Sequence, residues 1–538
     1  MTLTGALRRP SAEASRRSSG GDRNTRLALL VFLGVEAVAL LLLFIYGRHQ
    51  WFYLDEWDFL AGRNDTVAEM FRPQNQHWST LPTIWYRLLW QLVGLRTYVP
   101  YQVAIFALHL GTAGLVRVVM RRAGVGPWIA TAAASLFALF GTGGGNLIWA
   151  VQVTEVGSLV FGLVHLILAD HDGPFDRRDR LGLLAGLAGL MCSGISVTMV
   201  VIVGLAVLLR RGWRMAALHT APLAACFALW WFTFGREDYG VFRIRFRAIP
   251  KYVVSGLDAT FDSLGQLPWA GFALGVMLIV GLALAWGRLD RDVLRRRAAV
   301  PAALLVGPAV MMAINALGRP FGPNFAREGR WSHLLAALCL PAIAVAADAI
   351  VRRSRALAPV AFGLLLIGIP GNVDAIVDYD RLNAFALGSE DLMLTLPRIP
   401  LAREVPREMK PLRKSAREVT VGWLLDGADS GRIPAPQRID PVIAARATIL
   451  LSLQQRVAPA PSADCRVLGT PLRVRMDKGD VIGFEGGRLS VTRAGGGANA
   501  FVGVAYDPNF GRSLRAVAGP LELRLASANS AEPVELCD

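Results

Sequence analysis

The sequence predicts an α-helical membrane protein with many spans, followed by a small C-terminal β-domain. The chain of 538 residues is 53% hydrophobic and only 18% charged, with a mean hydropathy of +0.41, so it is more apolar than a soluble globular protein. Its hydrophobic residues are gathered in blocks of about 20, the length that a helix needs to cross a bilayer. Its last third instead alternates apolar and polar residues over short runs. This composition excludes a soluble cytosolic enzyme.

The basic residues indicate membrane topology. The 57 Lys and Arg residues exceed the 41 Asp and Glu residues and give a net charge of +16, which in a soluble protein would suggest a nucleic-acid partner. Here the densest basic clusters lie in short loops between apolar blocks, the pattern that keeps loops on the cytoplasmic side. We therefore predict no nucleic-acid partner, a multi-pass protein of the plasma membrane, and a cytoplasmic basic N-terminus over residues 1–26.

The alternation of basic loops predicts about eleven spans and an external C-terminus. The first span, near 27–46, is an uncleaved anchor that leads into a long external loop over 47–98. In that loop, "TLPTIWYRLLWQLVGL" is apolar enough to span, but a span there would reverse the side of every later loop, so we predict an interfacial helix. The remaining helices are predicted near 99–118, 127–147, 150–169, 215–234, 268–286, 299–317, 331–350 and 356–370, with two short ones between 181 and 209 that meet at "CSGIS".

The region after the last predicted span changes character. Residues 371–457 combine proline, charge and a helical pattern, and they predict an extracytoplasmic helical segment. Residues 458–538 contain short alternating runs such as "LRVRM" and "LELRLA", which predict a β-rich domain, most simply a sandwich. Cys465 and Cys537 bracket this domain in an oxidising space, so we predict a disulfide between them, with two free thiols as the alternative.

Clustered acids at the start of the first external loop are the strongest candidate for chemistry. The segment "WFYLDEWDFL" places Asp55, Glu56 and Asp58 near the membrane surface among aromatic residues. In a helix, Asp55 and Asp58 would share a face, and their proximity would raise the pKa of one of them. A carboxylate held in this way suits a general base for a sugar hydroxyl, or a ligand for a divalent cation. The alternative is an acidic surface loop or the start of a helix.

Other segments offer groups for substrate binding. "RPQNQHWSTLP" combines hydrogen-bonding side chains with a tryptophan, a pairing that suits sugar recognition, although a lone histidine is more often structural. Two external loops carry arginines against the positive-inside bias, for a donor phosphate or for lipid headgroups. The candidate substrate-binding residues are Asn75, His77, Trp78, Gln152, Glu155, Arg327, Arg330 and His333, and the loops also hold Arg243, Arg245, Arg247, Lys251 and Arg319.

The order of these features resembles the GT-C superfamily of integral membrane glycosyltransferases. A hydrophobic first helix, a long first external loop that begins with "LDEWD", many spans with short helices among them, and an external C-terminal domain carry the resemblance. It covers residues 1–370 by topology and "LDEWD" by motif. Within the superfamily, the chain is most similar to enzymes that use polyprenyl-phosphate sugars: protein mannosyltransferases, lipid A aminoarabinose transferases and mycobacterial-type arabinofuranosyltransferases.

The resemblance implies a function and a catalytic residue. It implies transfer of a sugar from a polyprenyl-phosphate donor to a glycan, lipid or protein of the cell envelope, in one inverting displacement. It also implies that an acid of the first external loop is the base, which here means Asp55 or Glu56, with Asp58 next. Two other functions stay open: a transporter or flippase of lipid-linked sugars, which would predict inverted repeats, and a non-catalytic glycan-binding membrane protein.

Overall fold

The computed structural model describes residues 12–238, 246–286, 294–318, 322–382, 384–456, 465–494, 503–529 and 531–537. Helices make up most of the chain up to Ser452, and strands follow from Leu453. The helices are α1 Ala12–Gly47, α2 Glu56–Leu60, α3 Val67–Phe71, α4 Thr80–Leu92, α5 Val99–Arg122, α6 Pro127–Ala138, α7 Gly144–Ile148, α8 Val153–Ala169, α9 Arg177–Leu190, α10 Ile195–Arg211, α11 Trp213–Thr233, α12 Ile249–Gly265, α13 Ala270–Trp286, α14 Ala299–Gly318, α15 Gly329–Arg353, α16 Ala358–Leu366, α17 Ile369–Leu382, α18 Ala384–Thr395, α19 Val421–Asp429 and α20 Pro441–Ser452.

The chain has the many membrane-spanning helices that the sequence predicts. In the described ranges, eight helical stretches are long and apolar enough to cross a membrane: Asp22–Gly47, Val99–Arg122, Pro127–Ile148, Ala150–Ala169, Trp213–Thr233, Arg295–Leu317, Gly329–Arg353 and Arg355–Tyr379. A ninth is present if the pair Phe246–Gly265 and Ala270–Trp286, bent by 106°, counts as one broken span. The count of eight is below the predicted eleven because α9 and α10, the two short helices, have only 14 and 17 residues, and because the span predicted near 268–286 is α13, one half of the bent pair.

Two segments of the predicted external loops form helices. The interfacial helix predicted in the first loop is α4, whose 13 residues are too few to cross a bilayer. In the later loop, α12 begins at Ile249, with Pro250 in the first turn, where proline is tolerated, and it takes up Lys251. The sequence does not predict α12, because the acids on its exposed face break the continuous apolar run that identifies a span. Arg243 and Arg245 lie outside the described residues.

The larger of two compact units contains most of the spanning helices and comprises Met1–Arg48, Phe71–Pro82 and Gln102–Arg381. Its centre is α15, whose alanine- and leucine-rich sequence is buried over most of its length. Small residues allow neighbouring backbones to approach closely in such a bundle. Gly281 of α13 is an example, because a Cβ there would lie 2.3 Å from the carbonyl oxygen of Ala346.

The second unit joins parts of the chain that the sequence places in separate domains. It comprises His49–Met70, Thr83–Tyr101 and Leu382–Asp538, so most of the first external loop belongs with the C-terminal region. Helix α17 passes through the predicted domain boundary at residue 370, and the first compact unit extends to Arg381.

The C-terminal β-region has two antiparallel sheets. A five-stranded sheet has the order β1-β7-β4-β9-β2, and a four-stranded sheet has the order β3-β8-β5-β6. Alternate residues such as Phe484 and Leu536 on one sheet, and Leu489 and Leu525 on the other, are fully buried. The strands are β1 Leu453–Arg456, β2 Cys465–Val467, β3 Leu472–Met476, β4 Val481–Gly486, β5 Leu489–Arg493, β6 Val504–Tyr506, β7 Ser513–Ala516, β8 Leu521–Ser527 and β9 Val534–Cys537.

A disulfide joins two neighbouring strands of the five-stranded sheet. Cys465 of β2 lies opposite Cys537 of β9, and their sulfurs form a disulfide with the Cα atoms 4.2 Å apart. The sequence predicts this pairing. The β-region begins at Leu453, ahead of the predicted boundary at 458, because strand β1 follows α20 without a turn.

Candidate active site

The acidic segment after the first span is held by aromatic packing. Trp51, Phe52 and Trp57 are almost completely buried, and the Phe52 ring packs edge-on against the rings of Tyr98 and Tyr101 at 4.9 and 4.8 Å. Leu54, just before the acids, adopts a left-handed backbone conformation with a φ of 42°. Such a conformation is costly for a leucine and persists where surrounding contacts impose it. The aromatic packing and the contacts that impose the Leu54 conformation therefore fix the backbone that carries the acids.

Glu56 is the anchor of this segment. Its side chain is fully buried, and its Oε1 accepts hydrogen bonds from the hydroxyls of Tyr86 and Tyr98 at 2.6 and 2.7 Å. Its Oε2 accepts a hydrogen bond from the backbone N–H of Tyr53 at 2.8 Å. Burial, and then the charge of Glu56, raises the pKa of Tyr86, so this tyrosine stays a hydroxyl donor. A carboxylate enclosed in this way has a structural role.

Asp58 is bound by an arginine of the same loop. Both Nε and one terminal nitrogen of Arg63 contact Asp58 Oδ2, at 2.9 and 2.6 Å. The side chain of Arg63 is 0% exposed and that of Asp58 is 15% exposed. The other terminal nitrogen of Arg63 donates to the carbonyl oxygen of Glu69 at 2.8 Å. The charge of Asp58 is thus neutralised inside the loop, which makes it a weak candidate for the base.

Asp55 differs from its two acidic neighbours. It precedes α2 as its N-cap residue, makes no capping hydrogen bond with its side chain, and is half-buried. Arg417 lies within electrostatic reach: a hydrogen bond from Arg417 to Glu418 raises the pKa of this arginine most, and the charges of Asp55 and Asp58 raise it further. Arg417 itself pairs with Glu418 at 2.6 Å, and the partly exposed carboxylate of Asp55 has the chemistry of a proton acceptor.

The partners of these acids could not be found from the sequence. Tyr86 and Tyr98 are 30 and 42 residues from Glu56, and Arg417 belongs to the C-terminal segment. Tyr86 lies in the predicted interfacial helix, and no local pattern distinguishes its hydroxyl from that of any other interfacial tyrosine. Only the fold brings these groups together.

The predicted sugar-binding segment 74–78 has structural contacts in the larger unit. The Trp78 ring stacks on Trp230 with a centroid distance of 5.3 Å and an interplanar angle of 2°, and the side chain is only 6% exposed. The backbone N–H of Gly194, at the break between α9 and α10, donates to His77 Nδ1 at 3.3 Å. Asn75 adopts a positive φ of 49° in the turn. Trp230 covers one face of the Trp78 ring, and the predicted role of Trp78 in sugar binding stays a prediction.

Three further predicted substrate contacts lie inside the helix bundle. Gln152 and Glu155, at the start of α8, are 5% and 6% exposed. His333 is fully buried, with His109 Nδ1 at 3.0 Å from its Nε2 and Asn146 Nδ2 at 3.3 Å from its Nδ1. These partners occupy both ring nitrogens of His333. In this structure His333 packs within the bundle, and its predicted role in substrate binding stays a prediction.

The two external arginines are paired with acids close to them. Arg327 contacts Asp258 and Asp262 of α12 at 2.5 and 3.2 Å, and these contacts, the hydrogen bond to Asp258 first, raise its pKa. Arg330 pairs with Glu328 at 2.8 Å, and its guanidinium lies over the rings of Phe325 and Trp331. Neither arginine is held ready for a phosphate as predicted. Arg319 lies outside the described residues.

A different cluster has the geometry of a metal site. Within the described ranges, one set of three side chains offers ligand atoms close enough together to bind one ion: His171, Asp176 and Asp179. Arg211 already contacts both oxygens of Asp179, at 2.5 and 3.0 Å. A cation there would have to displace this guanidinium. The acids of the first loop do not belong to this set. The described residues around those acids therefore form no group of three ligands for the divalent cation that the sequence offers as an alternative role.

Fold and site together define a multi-span membrane protein with an anchored acidic segment and a two-sheet C-terminal region. No protein-family model matches the sequence, and no curated protein matches it. Two solved structures of ArnT from Cupriavidus metallidurans are similar to it, one bound to undecaprenyl phosphate and one in the apo state. Their TM-scores are 0.41 and 0.40, and each is 14% identical over 71% of this chain and 81% of that chain. We therefore argue the activity from the residues of this chain.

Proposed function

We propose that the protein transfers a sugar from a polyprenyl-phosphate donor to an acceptor of the cell envelope, with Asp55 as the general base. The proposal depends on one observation. Asp55 is half-buried at the start of α2, whereas Glu56 is fully buried against two tyrosines and Asp58 is paired with Arg63. We assign the base to Asp55 because an acceptor hydroxyl can approach a partly exposed carboxylate.

The chemistry follows from the weakness of a sugar hydroxyl as a nucleophile. Asp55 accepts the hydroxyl proton as the acceptor oxygen forms a bond to the anomeric carbon of the donor. The bond from that carbon to the phosphate oxygen breaks, and the phosphate leaves on the polyprenyl chain with its electron pair. The attack comes from the face opposite the phosphate and inverts the anomeric centre. Arg417, which pairs with Glu418 in the same unit, is within electrostatic reach of Asp55 and Asp58 and contributes positive charge to their surroundings.

The proposal includes an orientation. The segment with Asp55 follows the first span, and the basic clusters of the sequence place the N-terminus in the cytoplasm. The acids and the C-terminal region then face the outside of the plasma membrane. An envelope glycan, lipid or protein is the acceptor available on that side.

Turnover of labelled donor tests the proposal. The purified protein in nanodiscs is incubated with polyprenyl-phosphate sugars that carry a radioactive sugar, with and without an extract of envelope glycans. We expect label to leave the lipid fraction only when acceptor is present, with release of polyprenyl phosphate. Failure to cleave any of the donors in the presence of acceptor would contradict the proposal.

A transporter of lipid-linked sugars is the second candidate. The 106° bend between Phe246–Gly265 and Ala270–Trp286 favours it, because broken helices are typical of transporter binding sites. Proteoliposomes with donor in one leaflet separate the two functions. Movement of intact donor to the other leaflet without bond cleavage would indicate transport, whereas cleavage with acceptor indicates transfer.

A further inference from the structure

The second compact unit contains an open cavity that the proposed reaction does not use. It has a volume of ≈ 440 Å³ and lies between α18, α20, the segment 410–415 and the strands β1 and β6. This volume is within the range of about 300–1,000 Å³ that is usual for small-molecule sites. All the residues that line it belong to this one unit.

Positive charge is concentrated in the cavity. Lys410, Arg413, Lys414 and Arg446 line it, and its described lining includes no aspartate or glutamate. None of these four cations forms an ion pair with a carboxylate in the part of the chain that the structure describes. Elsewhere in this unit arginines do find acids, for example Arg403 with Asp429 at 2.6 Å. Four like charges around one cavity repel each other, and a bound anion relieves that repulsion.

Two buried polar atoms in the lining also lack partners. Tyr506 is 5% exposed, and its hydroxyl makes no hydrogen bond with any described residue. The Nε of Arg446 is likewise buried without an acceptor in the described ranges. Buried polar groups in native proteins are normally satisfied, so an unsatisfied donor in a cavity wall indicates an acceptor that enters the cavity. Burial raises the pKa of Tyr506, which keeps it a donor at neutral pH.

The remaining walls are apolar. Leu392, Leu450, Leu453 and Val504 line the cavity and are buried, and they form its floor with the ring of Tyr506. An inorganic ion would leave this surface uncovered. A ligand with an anionic group and a compact carbon skeleton, such as a sugar or polyol, would meet both the cations and the apolar wall.

We propose that this cavity binds an organic phosphate, a phosphate ester carried on a sugar or polyol. The two guanidinium groups suit the oxygens of a phosphate, and the Tyr506 hydroxyl donates to the ester or to the sugar. The same chemistry is present in a water-soluble sugar phosphate and in a phospholipid headgroup. The proposal does not depend on the proposed glycosyl transfer.

Calorimetric titration of the full-length protein in phosphatidylcholine nanodiscs tests the proposal, with glucose 1-phosphate as the probe and glucose as its neutral control. We expect wild type to bind glucose 1-phosphate and to bind glucose at least roughly tenfold more weakly. The double variant Arg413→Gln with Arg446→Gln should lose roughly tenfold or more in affinity. Tyr506→Phe keeps the ring in place and should lose about threefold or more.

The double variant Arg473→Gln with Arg524→Gln is the matched control. These arginines lie opposite each other on β3 and β8, outside the cavity, and their removal lowers the charge by the same amount. It should bind glucose 1-phosphate like wild type. The proposal would be overturned if wild type does not bind the probe, or if the cavity variant binds it as well as wild type does. It would also be overturned if the control variant loses as much affinity as the cavity variant.

A lipid arm separates the two sources of phosphate. Native mass spectrometry counts the phosphatidylglycerol molecules that wild type and the cavity variant retain from mixed phosphatidylglycerol–phosphatidylcholine nanodiscs. Retention by wild type alone assigns the cavity to a lipid-borne phosphate. Equal counts, together with probe binding that depends on the cavity, assign it to a water-soluble one.

Discussion

Glu56 and Asp179 are both carboxylates with no exposed side-chain surface, yet their surroundings differ in kind. Glu56 accepts hydrogen bonds from two tyrosine hydroxyls and one backbone N–H. Asp179, at the start of α9, is bound by Arg211 through both oxygens and by His219 and His171 at 2.9 and 3.1 Å. Each carboxylate stabilises its own unit, and Asp179 does so through the counter-charge of Arg211.

The comparison teaches that burial of an acid does not identify a catalytic residue. Both buried acids have all their oxygens engaged, which leaves neither of them able to accept a proton without loss of structure. Next to Glu56 in the sequence is a second acid, Asp55, which is half-buried. The second acid near Asp179 is Asp176, which caps the helix by accepting hydrogen bonds from the backbone N–H groups of Arg178 and Asp179. Chemistry is therefore expected at the first pair and structure at the second.

The largest effect on stability is expected at Asp179. Asp179→Ala leaves the guanidinium of Arg211, which is 3% exposed, buried without its partner, and this should cost about 3–5 kcal/mol. Burial raises the pKa of Asp179, but Arg211 and the capping N–H of Asp176 lower it more, so its pKa in the folded protein is below the ordinary value. The stabilisation is then present at neutral pH and is lost only as pH falls below about 4.

Thermal and denaturant unfolding of the protein in detergent measures this loss. Asp172→Ala is the control, because Asp172 pairs with Arg210 at 3.1 Å in the same cluster but is 53% exposed. Exposed pairs contribute about 0–1 kcal/mol. Equal destabilisation by the two substitutions would mean that the Asp179 pair is no stronger than a surface pair.

A smaller effect is expected at Glu56. Glu56→Gln replaces one acceptor oxygen with an N–H₂ group, which faces either the Tyr53 N–H or the two tyrosine hydroxyls and cannot accept from them. The tyrosine hydroxyls can turn and accept from the N–H₂ group, so one buried donor at most loses its acceptor, at about 1–3 kcal/mol. Hydrogen exchange of residues 51–63 should increase while exchange in α9 stays unchanged. Unchanged exchange over 51–63 would show that Glu56 does not anchor the segment.

The smallest effect is expected at Tyr98. Tyr98→Phe removes one of the two hydroxyls that share Glu56 Oε1, and Tyr86 keeps that oxygen satisfied, so the loss should be about 0.5–1.5 kcal/mol. The same unfolding measurement checks it. A loss as large as that of Asp179→Ala would erase the difference between the two carboxylates.

The parts of the fold that depend on local pattern could be predicted from the sequence. The spans follow from the length of apolar blocks, so the first span and most later ones lie where the hydrophobic residues place them. The strands follow from the alternation of apolar and polar residues. The disulfide follows from the positions of Cys465 and Cys537 at the two ends of the predicted β-domain. The helix α12 was missed, since Asp258 and Asp262 interrupt its apolar pattern and find their partner, Arg327, far along the chain.

The site was predicted only in part, because its decisive contacts are non-local. The motif "LDEWD" selects the segment that we propose as the site, but it does not distinguish among the three acids of that segment. The rank comes from Tyr86, Tyr98 and Arg63, whose contacts depend on the fold. The same is true of Trp78, whose exposed-looking motif stacks on Trp230 some 150 residues later.

The turnover rate of Asp55→Asn, measured beside Asp65→Asn, tests the central claim most directly. Asp65 is an acid of the same loop whose side chain is 95% exposed, where it pairs with Arg87. Removal of a general base slows the chemical step by about 10²- to 10⁴-fold and leaves donor binding largely unchanged. We predict that loss for Asp55→Asn in folded protein that still binds donor, and wild-type turnover for Asp65→Asn. Wild-type turnover by Asp55→Asn would contradict the account.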